Sequence, residues 1–322
     1  MNRVWSALGA LAVLLGAAGP ALAQDWPQRP IRLVVGFGPG GGTDILARIL
    51  APTLQGILGQ PVVVENKPGA GGTVGAESVA RAAPDGHVAF VMNNGHAVSA
   101  VLYKSLPFDA VADFAPVAMV ATMPLVVVAD KGFAGRSVGD LVAAAKAQPG
   151  KLNFASVGVG SSQHFAAELL RQLSGIDMVH VPYRGTPAAI LAMRNGETQM
   201  LVEVAAAVLG QVRAGDLKAL AVTSAARFPI LPEVPTVAES GLAGYDVATW
   251  YAIALPAKTP RATVDKFNAA VRRALADEAT RKRMLDAAFL PETGTPEGLG
   301  AHLGAEIAKW ARVRDAARIE LQ

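Results

Sequence analysis

Residues 36–44 read Gly-Phe-Gly-Pro-Gly-Gly-Gly-Thr-Asp and separate an apolar run, residues 31–37, from an amphipathic one, residues 43–58. This pattern predicts a strand, a glycine-rich loop and a helix. Glycine lets the backbone approach a ligand closely, and the first turn of a helix offers unpaired N–H groups at the positive end of its dipole. The loop is therefore predicted to bind a carboxylate or a phosphate. A tight turn capped by Thr43 or Asp44, with no ligand, is the alternative reading.

The same alternation continues along the chain, with short runs rich in Val and Ile followed by Ala-rich amphipathic stretches. This order is typical of βα units around a buried parallel sheet. One series covers residues 31–92 and a second covers residues 137–223. A long apolar run between them, residues 116–129, is predicted to be a strand that passes from one domain to the other.

Two α/β domains follow from this order. The pattern after Pro260 is helical and has no strands of its own, so we expect these helices to cover the first series. Domain 1 is then discontinuous, residues 24–127 plus 249–322, and domain 2 comprises residues 128–248. The predicted fold class is α/β, each domain being a mostly parallel sheet flanked by helices, with a ligand cleft between the domains.

A second glycine-rich loop, residues 156–164, again follows a predicted strand and precedes a predicted helix. It offers backbone N–H groups, hydroxyls, an amide and an imidazole. Two such loops in two domains predict a ligand held between two helix N-termini. Capping of the helix by Ser161 or Ser162 is the alternative. A third loop of this kind, residues 65–72, is expected to shape the rim of the cleft.

Other polar candidates follow predicted strands, at the edge where open α/β sheets bind ligands. Residues 93–96 read Asn-Asn-Gly-His, which also suits a plain Asn-Gly turn. Arg184 is a partner for a ligand carboxylate or a solvated side chain. Glu203 ends an apolar strand, where it would accept a ligand amine or hydroxyl, or pair with an arginine.

A dinucleotide-binding enzyme is a further alternative. Gly36, Gly38 and Gly41 fit the G-x-G-x-x-G pattern, and Glu65 ends the second predicted strand, where a ribose-binding acid belongs. However, Glu65 lies farther along than the usual spacing of about 20 residues. Pro39 also stiffens a turn that would have to wrap a pyrophosphate. We therefore expect no bound cofactor.

The N-terminus has the pattern of a cleavable secretion signal. Arg3 precedes an apolar stretch, residues 4–19, and residues 21–23 form an Ala-Leu-Ala cleavage site. Cleavage after Ala23 would deliver the mature chain to the periplasm, away from the cytoplasmic nicotinamide pool. A membrane anchor is the alternative, but the apolar stretch is shorter than the roughly 20 residues that a span needs.

Composition narrows the function further. The chain has no cysteine, which excludes disulfides, thiol nucleophiles and Cys-ligated metals. The net charge of +3 and the 6% of aromatic residues give no basic patch for nucleic acid. The chain lacks H-E-x-x-H and P-loop motifs, and its histidines do not have metal-ligand spacing. We expect neither catalysis nor a metal site.

Several longer stretches carry a family resemblance. Besides the first glycine loop they are residues 30–35 (PIRLVV), 59–72 (GQPVVVENKPGAGG), 181–185 (VPYRG), 235–241 (PTVAESG) and 306–310 (EIAKW). Together they resemble the Bug (TctC-type) family, the extracytoplasmic solute receptors of tripartite tricarboxylate transporters. The resemblance covers essentially the whole chain after residue 23.

The resemblance implies a two-domain periplasmic-binding-protein fold, type II-like, that closes on a carboxylate. It implies that backbone groups and bridging waters on the first glycine loop hold the carboxylate, while the middle domain selects the rest of the solute. The implied partners are a small carboxylate solute (a dicarboxylate, an amino acid or an aromatic acid) and the permease subunits of the transporter. We expect a monomer. A periplasmic sensor subunit for a signalling partner is an alternative with the same fold.

Motif and resemblance together give one set of candidate ligand-binding residues: Phe37, Gly38, Pro39, Gly40, Gly41, Gly42, Thr43, Asp44, Asn93, Asn94, His96, Gly158, Gly160, Ser161, Ser162, His164, Arg184, Thr186 and Glu203. Two positions depart from the family pattern. Gly38 stands where many relatives have proline, which implies a more mobile loop. Glu203 and the apolar residues after it replace a more polar segment, which predicts a less polar distal pocket.

Overall fold

A computed structural model of the chain describes residues 26–317 and 319–322. The secretion signal predicted for residues 1–23 lies outside the described residues. The strands are β1 (Ile31–Val35), β2 (Val62–Asn66), β3 (Val88–Asn93), β4 (Phe114–Asp130), β5 (Asn153–Ser156), β6 (Val179–Pro182), β7 (Met200–Val204), β8 (Leu217–Val222), β9 (Ala248–Pro256) and β10 (Leu290–Pro291). The helices are α1 (Gly42–Leu58), α2 (Thr73–Ala80), α3 (Asn94–Leu102), α4 (Val138–Ala147), α5 (Ser162–Ser174), α6 (Thr186–Arg194), α7 (Ala205–Arg213), α8 (Arg261–Ala276), α9 (Glu278–Asp286) and α10 (Pro296–Ala317).

The strands form two sheet halves that share one strand. In the first half β2, β1 and β3 run parallel, and β9 joins β3 to β4 by antiparallel pairing. In the second half β6, β5 and β7 run parallel, while β7 and β8 both pair antiparallel with β4. The predicted α/β class with a two-domain fold is confirmed, and antiparallel strands at the shared centre complete the parallel ones.

Strand β4 explains the long apolar run in the sequence. It spans 17 residues and is buried along almost its whole length, because it lies at the centre of both halves. Pairing with β9 extends to Pro124, opposite Ala248, and pairing with β7 begins at the next residue, Leu125, opposite Val204. The strand therefore passes from one half to the other at Pro124.

The helices after residue 260 pack mainly on the first half. α8 and α10 contact β4, and α9 packs on α1 and α8. α10 also reaches the second half, where Trp310 packs edge-on against Phe165 of α5, with 5.8 Å between ring centroids. Across residues 26–317 and 319–322, no helix combines the length and the apolar character needed to cross a bilayer.

Candidate functional site

The first and second glycine loops face each other across the cleft between the two halves. Between them lies a small cavity of about 20 Å³, called here the inner cavity, which is space for about one water molecule. Residues from both halves line it: Phe37, Gly38, Gly41, Gly42, Thr43, Asn93, Val157, Ser162, Gln163, Gly185, Thr186, Val204, Thr249 and Tyr251. This lining contains hydroxyls, amides and backbone groups but no charged side chain.

Three helices begin at the inner cavity. α1 begins after Gly41 and α6 begins after Gly185, and neither helix has a side chain that caps its first turn. At α5, the hydroxyl of Ser161 accepts the backbone N–H of His164. First-turn N–H groups of the three helices thus converge on one small volume, together with the positive ends of their dipoles. Such an arrangement favours an anion.

The polar side chains at the cavity wall are held by one another. The amide of Asn93 donates to the Thr43 hydroxyl at 3.1 Å, which leaves the hydroxyl hydrogen of Thr43 available to a ligand. The carboxamide oxygen of Asn94 accepts hydrogen bonds from the hydroxyls of Ser162 and Thr249. The amide nitrogen of Asn94 is fully buried and has no partner among the described residues. It is a donor beside the cavity.

Glu203 lies directly behind the cavity wall and is fully buried. Its Oε1 accepts the side-chain amide of Gln163 and the backbone N–H of Val204, both at 2.7 Å. Its Oε2 pairs with the hydroxyl of Thr186 at 2.9 Å. Burial raises the pKa of Glu203, and these three hydrogen bonds oppose the rise without cancelling it. Glu203 thus positions two side chains that face the cavity.

A wider space adjoins the inner cavity and is called here the vestibule. It measures about 630 Å³, a size typical of small-molecule sites. Phe37, Gly38, Val157 and Gly185 line both spaces. The vestibule is otherwise lined by residues of the first and third glycine loops, by Tyr103 after α3 and by residues of the second half: Gly36, Pro68, Gly69, Ala70, Gly71, Gly72, Tyr103, Gly158, Val159, Pro182, Tyr183 and Arg184.

Comparison with known proteins identifies the family. Residues 46–317 match the family described as the tripartite tricarboxylate transporter family receptor. The chain belongs to this family.

Relatives and solved structures agree with this assignment. Protein BugT of Bordetella pertussis is 35% identical over 315 residues, which cover 97% of each chain. The structure of R. palustris Rpa4515 with adipate superposes with a TM-score of 0.90 at 32% identity and covers 92% of this chain and all of that one. MatC from Rhodopseudomonas palustris with bound malate has a TM-score of 0.86 at 34% identity and covers 89% of this chain and 99% of that one.

Within this receptor fold, most of the candidate residues come together at the two spaces. Gly38, Gly41, Gly42, Thr43, Asn93, Ser162 and Thr186 line the inner cavity with Phe37, and Gly158 and Arg184 line the vestibule. Asn94 and Glu203 lie one hydrogen bond behind the wall. Gly160 packs against Leu102 and Tyr103, and Ser161 caps α5. Pro39 and Gly40 are exposed at the outer edge of the first loop, beside Pro187 of the second half.

Three candidate residues are directed elsewhere. Asp44 lines neither space, because its carboxylate accepts hydrogen bonds from Arg48, Asn66 and the backbone N–H of Gly40, and so holds the loop. Burial alone would raise the pKa of Asp44, but these donors outweigh it and lower the pKa.

The two histidines belong to packed aromatic clusters. His96 is buried, stacks on Phe108 and bonds to the carbonyl of Ala110. Burial lowers the pKa of His96 to about 4. His164 stacks on His180 with 4.0 Å between ring centroids and accepts the backbone N–H of Gly160 at 3.4 Å. Its role in the receptor is to hold the second glycine loop.

Sequence reasoning missed part of the cavity lining. Gln163, Thr249 and Tyr251 line the inner cavity, and none of them is in the candidate set. Gln163 lies in the second glycine-rich loop, and its amide was counted among the polar groups of that loop, whereas Thr249 and Tyr251 lie in no motif-bearing stretch. Thr249 and Tyr251 reach the cavity because β9 pairs with both β3 and β4, a tertiary arrangement with no local sequence signal.

Proposed function

We propose that this receptor captures a small carboxylate-bearing solute in the periplasm and presents it to the permease subunits of a tripartite tricarboxylate-type transporter. The relatives with adipate and malate bound support a carboxylate as ligand. The observation that carries the proposal is the convergence of three helix N-termini on a cavity whose lining has no charged side chain.

The carboxylate would lie at the N-terminus of α1. There Thr43 offers its hydroxyl hydrogen, and Thr186 faces the same loop from the second half, with its hydroxyl 3.6 Å from a β-carbon built at Gly41. The rest of the solute would extend into the vestibule toward Tyr103 and Arg184. Helix dipoles and neutral donors would replace a paired-arginine clamp.

Binding would couple to closure of the two halves. We propose domain boundaries at residues 24–127 plus 249–322 and at residues 128–248, with rotation about the crossings of β4 and β9. The inner cavity of about 20 Å³ is too small for a carboxylate-bearing solute, so the halves would separate to admit one. The permease would recognise the closed form, and the receptor would act as a monomer after cleavage at Ala23.

We propose that the solute leaves chemically unchanged. The lining hydroxyls bond to amides or to a carboxylate, as Thr43 does to Asn93 and Thr186 to Glu203. Glu65 is the residue that would bind the ribose in a dinucleotide site. It forms ion pairs with Arg32 and Lys67 at 3.0 and 3.4 Å. These pairs occupy the carboxylate that would bind a ribose, so we propose no nicotinamide cofactor.

A glycine-to-alanine pair on α1 tests the site. A β-carbon at Gly42 would collide with the Tyr251 hydroxyl and lie 2.9 Å from Cγ2 of Val204, whereas one at Gly56 meets nothing within 4 Å. Calorimetry and thermal melting with a panel of mono-, di- and tricarboxylates should show binding by wild type and G56A. Binding should weaken at least tenfold in G42A. Equal binding by G42A, or stabilisation by NAD(P)H alone, would contradict the proposed site.

A further inference from the structure

An ionised Glu203 would repel an anionic ligand. It is fully buried behind Thr186, and the three groups that hold its carboxylate are all neutral. The proposed carboxylate position, at the N-terminus of α1, lies on the other side of Thr186. Two carboxylates on either side of one hydroxyl, in a buried site, repel each other strongly, and one of them is then favoured in the protonated form.

The hydrogen bonds specify where a proton would go. Oε1 of Glu203 already accepts two N–H donors, from Gln163 and Val204, so it has no room for a hydrogen of its own. Among the described residues, Oε2 has only the hydroxyl of Thr186 as partner. A proton on Oε2 would therefore be donated to the oxygen of Thr186.

Protonation of Glu203 reverses the role of Thr186. With Glu203 ionised, the Thr186 hydroxyl donates to it and presents only lone pairs to the cavity. With Glu203 protonated, Thr186 accepts from Glu203 and its own hydrogen becomes free to donate to a ligand carboxylate. The ionised form thus repels a carboxylate at this position and the protonated form binds it.

Few other ionisable groups surround this pair. Tyr251 on β9 interacts electrostatically with Glu203, and burial keeps its phenol protonated by raising its pKa. On α1, Asp44 is bound to Arg48 and Asn66, and on α5, His164 is stacked on His180 and its pKa is lowered to about 3. α6 and β4 face Glu203 with Thr186 and Val126, and the next residue on β7, Val204, contributes its backbone N–H. Glu203 is therefore the group that responds to the ligand.

We propose that this receptor takes up one proton at Glu203 when a carboxylate binds beside Thr186. The inference rests on the proposed function, because it requires a carboxylate ligand. Burial raises the pKa of Glu203 in the free receptor. A bound carboxylate raises the pKa of Glu203 further. Proton uptake therefore occurs at pH values between the pKa of Glu203 in the free receptor and its higher pKa in the complex. In that range the affinity falls by up to about tenfold for each unit that the pH rises.

The E203Q variant tests this directly. A glutamine at this position accepts the same two N–H donors and donates its amide to Thr186, so it mimics the protonated form. Calorimetry with malate and adipate in buffers of different ionisation enthalpy should show proton uptake by wild type at some pH between 6 and 9. The E203Q variant should take up none, bind at least as tightly as wild type, and show an affinity independent of pH. The exposed control E233Q should behave as wild type.

Proton uptake at Glu203 and the proposed receptor function fail under different results. Binding by wild type without proton uptake across this pH range, or equal uptake by wild type and E203Q, would overturn the proton-linked reading while leaving the receptor function intact. Failure of every carboxylate to bind wild type would overturn the proposed function and this inference with it. If E203Q does not fold, the pH dependence of proton uptake and of carboxylate affinity in wild type remains a test.

Discussion

Ser162 donates its hydroxyl hydrogen to the carboxamide oxygen of Asn94, and the two residues belong to opposite halves of the sheet. Each stands at the start of a helix, α5 and α3 respectively. Thr249 of β9 donates to the same oxygen at 2.5 Å. This hydrogen bond joins the two walls of the cleft at the inner cavity, so it stabilises the closed arrangement.

The S162A variant should therefore close less readily. Loss of one hydrogen bond at the cleft is worth about 1 kcal/mol, which corresponds to roughly fivefold weaker ligand binding. Small-angle scattering should show a larger radius of gyration without ligand. The S78A variant is the matched control, because the Ser78 hydroxyl bonds to Gly75 within its own helix. Equal affinity of S162A and S78A would show that the bond does not contribute to closure.

The stacked histidines predict a stability that falls in acid. Burial, with help from His180 and Arg171, lowers the pKa of His164 to about 3, and burial lowers that of His180 to about 4. Unfolded histidine titrates near 6.5. Between about pH 6.5 and 4 the unfolded chain binds protons that the folded chain does not, so the free energy of unfolding decreases as pH falls.

The H180F variant tests this with the ring stack retained, since His180 also stacks on Phe154. Its unfolding free energy, from urea titrations at pH 4.5 to 7.5, should depend less steeply on pH than that of wild type. We expect a difference of about 1 kcal/mol per pH unit at most. Parallel pH profiles for the two proteins would contradict the shifted titration.

Glu306 holds two tryptophans together. The indole N–H groups of Trp250 and Trp310 both donate to its Oε2 at 3.0 Å, in a buried site. The E306A variant leaves two buried donors without a partner and should lose roughly 2–4 kcal/mol of stability in chemical denaturation. The K309A variant should change stability by less than about 1 kcal/mol, because the Lys309–Glu306 pair is long, at 3.6 Å, and partly exposed. Comparable losses would contradict the role of the indoles.

Asp44 predicts a second loss of stability in acid, in a different pH range from that of the histidines. Its lowered pKa means that the ionised carboxylate contributes stability above about pH 4 and that this contribution is lost as pH falls through the folded pKa. The D44N variant should be about 2 kcal/mol less stable than wild type at pH 7, and the gap should narrow below pH 4. The D265N variant, which breaks the exposed pair with Arg261, should show a smaller change. A gap that does not narrow as pH falls below 4 would contradict this account.

The sequence predicted what is encoded locally. Alternation of apolar and amphipathic runs located the βα units, and two of the glycine-rich stretches marked loops that line the inner cavity. Residues 116–129 were predicted to be a long strand, and they lie in β4, which pairs with strands of both sheet halves. Each of these inferences depends on residues that are close together in the sequence.

The parts that sequence reasoning did not reach depend on tertiary contacts. The Asn94-Gly95 pair suggested a turn, but Asn93 caps α3 by accepting the N–H of Gly95, so a helix begins there. His96 was a candidate ligand group, but helix α3 places it in an aromatic cluster with Phe108. The hydrogen bond between Glu203 and Thr186 joins residues 17 positions apart and follows from how α6 packs on β7.

The passage of β4 between the halves at Pro124 has a consequence for protein engineering. Pro124 lies opposite Ala248 in the β4–β9 ladder, so the chain leaves and re-enters the first half at two backbone positions that are side by side. The second half is thus an insert whose two ends are already adjacent. Residues 125–247 of a relative could be grafted between these points with no linker to span a gap, and solute preference should travel with the graft while the helices of the first half stay unchanged.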